Sequence, residues 1–322
     1  MVLRSGDALA IKEALEKLDW VFNGENHDKA TGIAAILSFL ESGQDAATGE
    51  GFLVGEGGLL TEATTLRVFL MDHLGSLSRA AGSSAALEVA RENLSRFHSA
   101  DEWAISMRNV AWLDPHSRVF LAERTSAMLN HEEWRRNPSQ GMLEAFDFIV
   151  HTGALSTVPA LHSLITGDDA SLARAAAVAL DRMATTHALT LTTLLNQQPD
   201  LFATTPLLRA NLFGHADLGN PGQRNQIETY LLRPDVSADE REKLFNSLLQ
   251  SGQFVSHNLV TRFTPPETPA DADARLIRLT HTVNEWLADE RFSRLQGELR
   301  QFGETVNRVH DEINTDLGSD PK

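Results

Sequence analysis

A glycine-rich segment at residues 49–58, which reads GEGFLVGEGG, has the residue types best suited to bind a ligand through its backbone. Glycines let consecutive backbone N–H groups surround a phosphate. However, no Gly-Lys-Ser/Thr follows, no strand clearly precedes, and the carboxylates of Glu50 and Glu56 would repel an anion. The segment therefore predicts a flexible or hairpin-like insertion between helices rather than a phosphate site.

Apolar residues supply the candidates for partner binding. Long loops on helical proteins often carry binding residues, so Phe52, Leu53 and Val54 are predicted to form an apolar tip presented to a partner. The five tryptophans lie mostly at spacings typical of a helical core. Trp103 and Trp112 are nine residues apart, which places them about 180° apart on a helix. Trp112 is therefore a candidate to face a groove.

Histidine chemistry has no recognisable motif in this sequence. None of the twelve histidines forms His-Glu-x-x-His or another zinc signature. His310, Asp311 and Glu312 are consecutive, so on a helix they point about 100° apart and cannot share one ion. His73 lies on an apolar helical stripe and is predicted to be a buried, hydrogen-bonded core residue. The chain has no cysteine, and we assign no catalytic residue, metal ligand or cofactor.

The charge balance restricts the class of partner. The chain has 44 acidic and 28 basic residues, for a formal net charge of −16. Such a field repels nucleic acid and anionic membranes, and no apolar run approaches the length of a membrane span. The expected partner is another protein, with a basic segment that the acidic surface attracts.

Composition and periodicity both predict an all-α fold. Leu and Ala dominate the apolar residues, whereas Tyr occurs once, and Leu and Ala favour helices. Apolar spacings of three and four residues recur along most of the chain. They predict helices over residues 7–22, 29–42, 158–165, 171–183, 187–196, 206–215, 221–232 and 237–251, and others that begin near Thr61, Ser83, Asp101, Pro115 and Pro138.

Residues 156–184 resemble a HEAT repeat. Pro159 and spaced leucines occupy the first predicted helix, Asp169 the turn, and an Ala-rich run the second helix. Ala173 stands where that family usually has Arg, with Arg174 next to it. The resemblance implies stacked antiparallel helical hairpins in a HEAT-like superhelix, an α-solenoid; an irregular helical bundle is the alternative.

The predicted organisation has an array, a break and a cap. Residues 1–264 form the HEAT-like array with the Gly-rich loop 43–60 inserted, 265–270 a Pro-rich break, 271–317 a C-terminal helical cap, and 318–322 a tail. Apolar residues at 292, 295, 299, 302, 306, 309 and 313 make a heptad seam. A homodimeric coiled coil through 292–313 is one interpretation. Glycines at 297 and 303 favour intramolecular packing of a long capping helix instead.

These features favour a non-catalytic scaffold or adaptor that binds a partner protein on an elongated acidic helical surface. The alternative is a HEAT-like enzyme that acts on a small molecule or cofactor. The N-terminal residues have no apolar core of a signal peptide, which favours the cytoplasm over the periplasm if this terminus is native.

Overall fold

In a computed structural model, the protein is described at residues 8–23, 28–250, 255, 257–262 and 265–318. These residues are α-helical except for short 3-10 turns, loops and one two-stranded hairpin, which confirms the all-α prediction. None of the described helices combines the length and the apolar character needed to cross a membrane. The chain divides into two compact units, and it passes from unit 1 to unit 2 between Ala179 and Leu180.

Unit 1 contains the N-terminal helices and a later segment of the chain. Residues 257–262, here called the strap, belong to unit 1 although the chain on both sides belongs to unit 2. The helices of unit 1 are α1 (Ala8–Asn23), α2 (Lys29–Glu41), α3 (Leu66–Ala81), α4 (Ala85–Asn93), α5 (Ala100–Leu113), α6 (Arg118–Leu129), α7 (Glu132–Arg136), α8 (Gln140–Glu144), α9 (Asp147–Thr152), α10 (Val158–Ile165) and the first part of α11 (Ala170–Thr186).

A small hairpin precedes α3. Strand β1 (Leu53–Val54) pairs antiparallel with β2 (Leu60–Glu62), and a 3-10 turn at Glu56–Gly58 joins them. The Gly-rich segment thus forms the hairpin-like insertion that its sequence predicts. The helix predicted to begin near Thr61 begins instead at Leu66, because residues up to Glu62 pair in the hairpin and Thr65 caps the helix by accepting the Val68 N–H.

A buried ion pair joins the central helices of unit 1. Arg108 on α5 is fully buried and donates to the Asp72 carboxylate on α3 and, at 3.1 Å, to the Asp72 carbonyl. It also donates to the Gly58 carbonyl at 2.8 Å and to Asn109 Oδ1 at 2.9 Å. The guanidinium therefore binds α3 and the hairpin turn together, and its burial is offset by acceptors on several sides.

Asp101, near which the sequence predicts a helix to begin, lies just inside α5 and does not cap it. Ser99 caps α5 by accepting the Glu102 N–H. Asp101 lies in the first turn and accepts hydrogen bonds from the hydroxyls of Thr64 at 2.7 Å and Ser139 at 2.6 Å, and from the Gly141 N–H at 3.0 Å. This carboxylate therefore connects α5 to the start of α8 and to the segment that leads into α3.

Unit 2 takes in the end of α11 and the helices that follow it. They are α12 (Ala188–Gln197), α13 (Pro206–Phe213), α14 (Pro221–Leu231), α15 (Ala238–Leu248), α16 (Pro269–Ala288) and α17 (Gln296–Gly318). α10 and α11 have nearly the bounds that the HEAT-like pattern predicts. Asp169 accepts the Leu172 N–H at 2.8 Å at the start of α11.

The C-terminal seam packs within the chain. Phe292, Leu299 and Val306 are fully or almost fully buried, and α17 lies along α16. Phe302 stacks on Phe245 of α15 with ring centroids 4.4 Å apart. The start of the long helix differs from the prediction, because residues 290–295 form a 3-10 helix and α17 begins only at Gln296.

A second buried polar network stabilises unit 2. Glu240 accepts from Arg209 at 2.6 Å and from the Tyr230 hydroxyl at 2.8 Å, and its other oxygen accepts the Ser237 N–H. Burial opposes ionisation of Glu240, but the hydrogen bonds from Arg209, Tyr230 and Ser237 outweigh it and lower the pKa of the carboxyl. The carboxylate is therefore ionised and fully bonded inside the unit.

Loss of the buried Asp72 charge should destabilise unit 1 strongly. Asp72→Asn retains the shape but leaves the Arg108 charge buried without its counterion, which we expect to cost about 3–5 kcal/mol in the free energy of unfolding. Urea titration followed by tryptophan fluorescence measures it. The control is Glu132→Gln, which breaks the exposed pair with Arg136 and should cost about 0–1 kcal/mol. Equal costs for the two variants would contradict a central role for the buried pair.

Glu240 should also contribute a pH dependence to stability. Its pKa in the folded protein lies below the ordinary value of 4.5, so its stabilising contribution is complete above that value. The contribution is lost as the pH falls from 4.5 through the folded pKa. Melting temperatures measured at descending pH should therefore fall less steeply for Glu240→Gln than for the wild type. Parallel pH profiles would count against this role.

Candidate functional site: an acidic cleft in unit 1

A cleft of about 450 Å³ opens between α1, the hairpin and α3. We call it the acidic cleft. Its lining residues are Leu15, Glu16, Asp19, Glu50, Leu60, Thr61, Glu62, Ala63 and Phe69.

The lining combines negative charge with apolar surface. Glu16, Asp19, Glu50 and Glu62 are acidic, and none of the described residues that line the cleft is Lys or Arg. The other lining residues are apolar except Thr61. Several negative carboxylates around an apolar surface attract a cation that also carries hydrocarbon groups. The chemistry of the cleft is therefore that of binding a positively charged, partly apolar segment.

Helix α1 provides one wall of the cleft. Leu15 is 9% exposed, whereas Glu16 and Asp19 are exposed. Residues at positions i and i+4 lie on the same face of a helix, so Leu15 and Asp19 share one face. The helix thus presents an apolar residue and a carboxylate to the same space.

The hairpin provides the opposite wall, and two glycines determine its turn. Gly57 and Gly58 have φ angles of 68° and 81°, a left-handed conformation that other residues rarely adopt. The Gly55 N–H donates to the Leu59 carbonyl at 2.7 Å and closes the turn. The Gly51 N–H donates to Glu62 Oε2 at 3.2 Å, which fixes this carboxylate at the edge of the cleft.

His73 connects the floor of the cleft to α1. Its Nε2 lies 3.4 Å from Asp19 Oδ1, and its ring is 4.4 Å from that of Phe69. Burial lowers the pKa of His73 below its usual 6.5, and the carboxylates of Asp72 and Asp19 oppose that shift only in part. The imidazole is 6% exposed, which confirms the prediction of a buried core histidine.

The predicted apolar tip is only partly exposed. Phe52 and Val54 are 3% and 5% exposed, whereas Leu53 is 52% exposed. The prediction of three exposed side chains is therefore wrong for Phe52 and Val54. The physical reason is strand geometry, because successive side chains in a strand point to opposite faces.

Trp112 is half-buried at the end of α5 and does not line the acidic cleft. The guanidinium carbon of Arg108 lies 4.0 Å from its ring centroid, and that of Arg79 lies at 5.4 Å. Cations of the same chain thus already contact this indole. Trp103, nine residues earlier on the same helix, is fully buried.

Sequence patterns did not identify most of the cleft residues. Glu16 and Asp19 on α1 are more than 40 residues from Glu62 and Phe69, and the four form no motif. The available signals were the net acidity and the observation that Glu50 disfavours anions. Within the described residues, no group of three or more His, Asp or Glu side chains is arranged to hold a metal ion.

Comparisons with protein-family models, with curated protein sequences and with solved structures each find no match for this chain.

The neutral, buried His73 should make unit 1 less stable below pH 6.5. Its pKa is lowered in the folded state, so the unfolded chain binds more protons as the pH falls from 6.5 through the folded pKa. We expect the melting temperature to fall in that window for the wild type and to fall less for His73→Gln, which can still donate to Asp19. His116→Gln, at an exposed position, is the control and should retain the wild-type profile.

Proposed function

We propose that the protein is a non-catalytic scaffold or adaptor that binds a basic segment of another protein in the acidic cleft. The observation that carries this proposal is the pairing of four carboxylates with an apolar lining in which no residue that the structure describes is Lys or Arg. The volume of the acidic cleft, about 450 Å³, lies within the usual range of roughly 300–1,000 Å³ for ligand sites.

Charge complementarity defines the chemistry of the partner. The net charge of −16 adds a long-range attraction for cations to the local field of the cleft. Long-range attraction mainly raises the association rate, whereas apolar contacts inside the cleft slow dissociation. The segment that fits best therefore alternates Arg or Lys with aliphatic residues.

The arrangement of the helices is the second part of the proposal. We propose that antiparallel hairpins stack in a HEAT-like manner, as in an α-solenoid. Support comes from the consecutive helices α10 and α11, which carry the HEAT-like pattern, and from helix neighbours such as α4 with α5 and α13 with α15. Stacked hairpins expose extended surfaces that suit an elongated partner.

Binding of a fluorescent peptide that alternates arginine with leucine tests the function. Fluorescence anisotropy should show saturable binding that weakens as salt is added. The triple variant Glu16→Gln, Asp19→Asn and Glu62→Gln should raise the Kd about tenfold, since each exposed charge pair contributes about 0.5 kcal/mol.

A matched control separates the cleft from the overall charge. The triple variant Glu92→Gln, Glu123→Gln and Glu132→Gln removes the same number of exposed carboxylates outside the cleft. It should change the Kd by less than about twofold. Equal weakening by both triple variants would show that binding is nonspecific attraction, and the proposal of a cleft site would then be wrong.

A further inference from the structure

The carboxylate of Asp147 binds the strap to the rest of unit 1. Asp147, the first residue of α9, accepts the N–H groups of Val260 at 2.8 Å and Thr261 at 2.9 Å through Oδ2. The Thr261 hydroxyl donates to the other carboxylate oxygen, Oδ1. Hydrogen bonds to a charged acceptor are stronger than neutral ones, so Asp147 fixes both the backbone and the side chain of the strap.

The docked strap lies directly against the turn of the hairpin. Leu259 is fully buried. A Cβ atom at Gly58 would collide with the Leu259 carbonyl and come within 3.2 Å of the Asn258 carbonyl. The backbones of the strap and the turn are thus in contact, and a side chain at position 58 would push them apart.

The same turn is bound on a second side by the buried ion pair. Arg108 donates to the Gly58 carbonyl at 2.8 Å, and the Leu60 N–H donates to Asp72 Oδ1 at 3.2 Å. Two independent restraints therefore meet at Gly58. The residues immediately after it, Leu60, Thr61 and Glu62, line the acidic cleft.

We propose that Asp147 is a positioning residue for the acidic cleft and that it acts through the strap. With the strap docked, the hairpin is fixed so that Leu60 and Glu62 face α1. With the strap released, the contacts to Arg108 and Asp72 and the hydrogen bonds within the hairpin remain, but the turn loses its second restraint and the wall of the cleft samples more conformations. Binding sites need such supporting contacts behind the residues that touch the ligand. This inference rests on the proposed function.

The test separates the Thr261 hydroxyl from the rest of the strap. Thr261→Val removes the donor to Asp147 with little change of shape, and Thr261→Ser restores it. Hydrogen exchange followed by mass spectrometry reports on the hairpin amides at residues 53–62. We expect about tenfold faster exchange there in Thr261→Val, from the loss of one hydrogen bond to a charged group. Exchange should return to the wild-type rate in Thr261→Ser and remain unchanged in α13 and α15 for both variants.

Peptide affinity provides the second readout. The Kd for the arginine-leucine peptide should rise about threefold or more in Thr261→Val and return to the wild-type value in Thr261→Ser. Asp147→Asn, which weakens the same contacts from the other partner, should reproduce the Thr261→Val result. Agreement between the two variants excludes a defect peculiar to valine.

Each of the other possible outcomes would contradict one part of the proposal. Unchanged hairpin exchange in both Thr261→Val and Asp147→Asn would show that the strap does not restrain the hairpin. Faster exchange with an unchanged Kd would remove the role of Asp147 at the cleft but leave the proposed function standing. If the wild type itself fails to bind the peptide, the proposed function fails, and the exchange data then report only a structural contact.

Discussion

The burial of Arg108 is the constraint around which unit 1 is built. A guanidinium carries five N–H donors and stays charged, so an interior position requires acceptors in every direction in which a donor points. Here they are the carboxylate and carbonyl of Asp72, the carbonyl of Gly58 and the amide oxygen of Asn109. Since these groups belong to α3, α5 and the hairpin, the position of each depends on the others. The hydrogen bonds that satisfy the buried charge of Arg108 therefore also restrain the hairpin, which is one wall of the acidic cleft.

Unit 2 also buries a charged group, but there the charge is negative and the surrounding groups are hydrogen-bond donors. There the buried centre is a carboxylate, Glu240, and Arg209 and Tyr230 donate to it. Glu228 is a second case, with donors from Trp286, Arg224 and Arg291. Such networks contribute less net stability than apolar packing of the same volume, but they strongly disfavour any arrangement that leaves one member unpaired.

Local regularities of the sequence predicted the helices well, because helix formation depends on neighbouring residues. The spacing of apolar residues placed α10, α11 and the burial of His73 correctly. Errors arose where two similar residues competed. Thr61 and Thr65 can both cap a helix, and pairing of β1 with β2, a contact between different segments, decides for Thr65. Likewise, Ser99 and Asp101 are both residue types that cap helices, and Ser99 is the cap of α5. The Asp101 carboxylate instead accepts hydrogen bonds from hydroxyls of distant segments, which the local sequence does not indicate.

The cleft itself could not be predicted, because its carboxylates meet only through tertiary packing. Glu16 on α1 and Glu62 on β2 share a cavity although nothing in their local sequence relates them. The alternation of a strand would have indicated that Leu53 points away from Phe52 and Val54, but a strand of two residues gives little pattern to read.

The contact between Gly58 and Leu259 also has a consequence for biosynthesis. The turn emerges from the ribosome about 200 residues before the strap that packs against it. At a synthesis rate of about 5–20 residues per second, the delay is about 10–40 s. During that interval the Arg108 interactions can already form, whereas the surface that later receives Leu259 is bare. A nascent chain therefore leaves this surface uncovered for far longer than the formation of local helices requires.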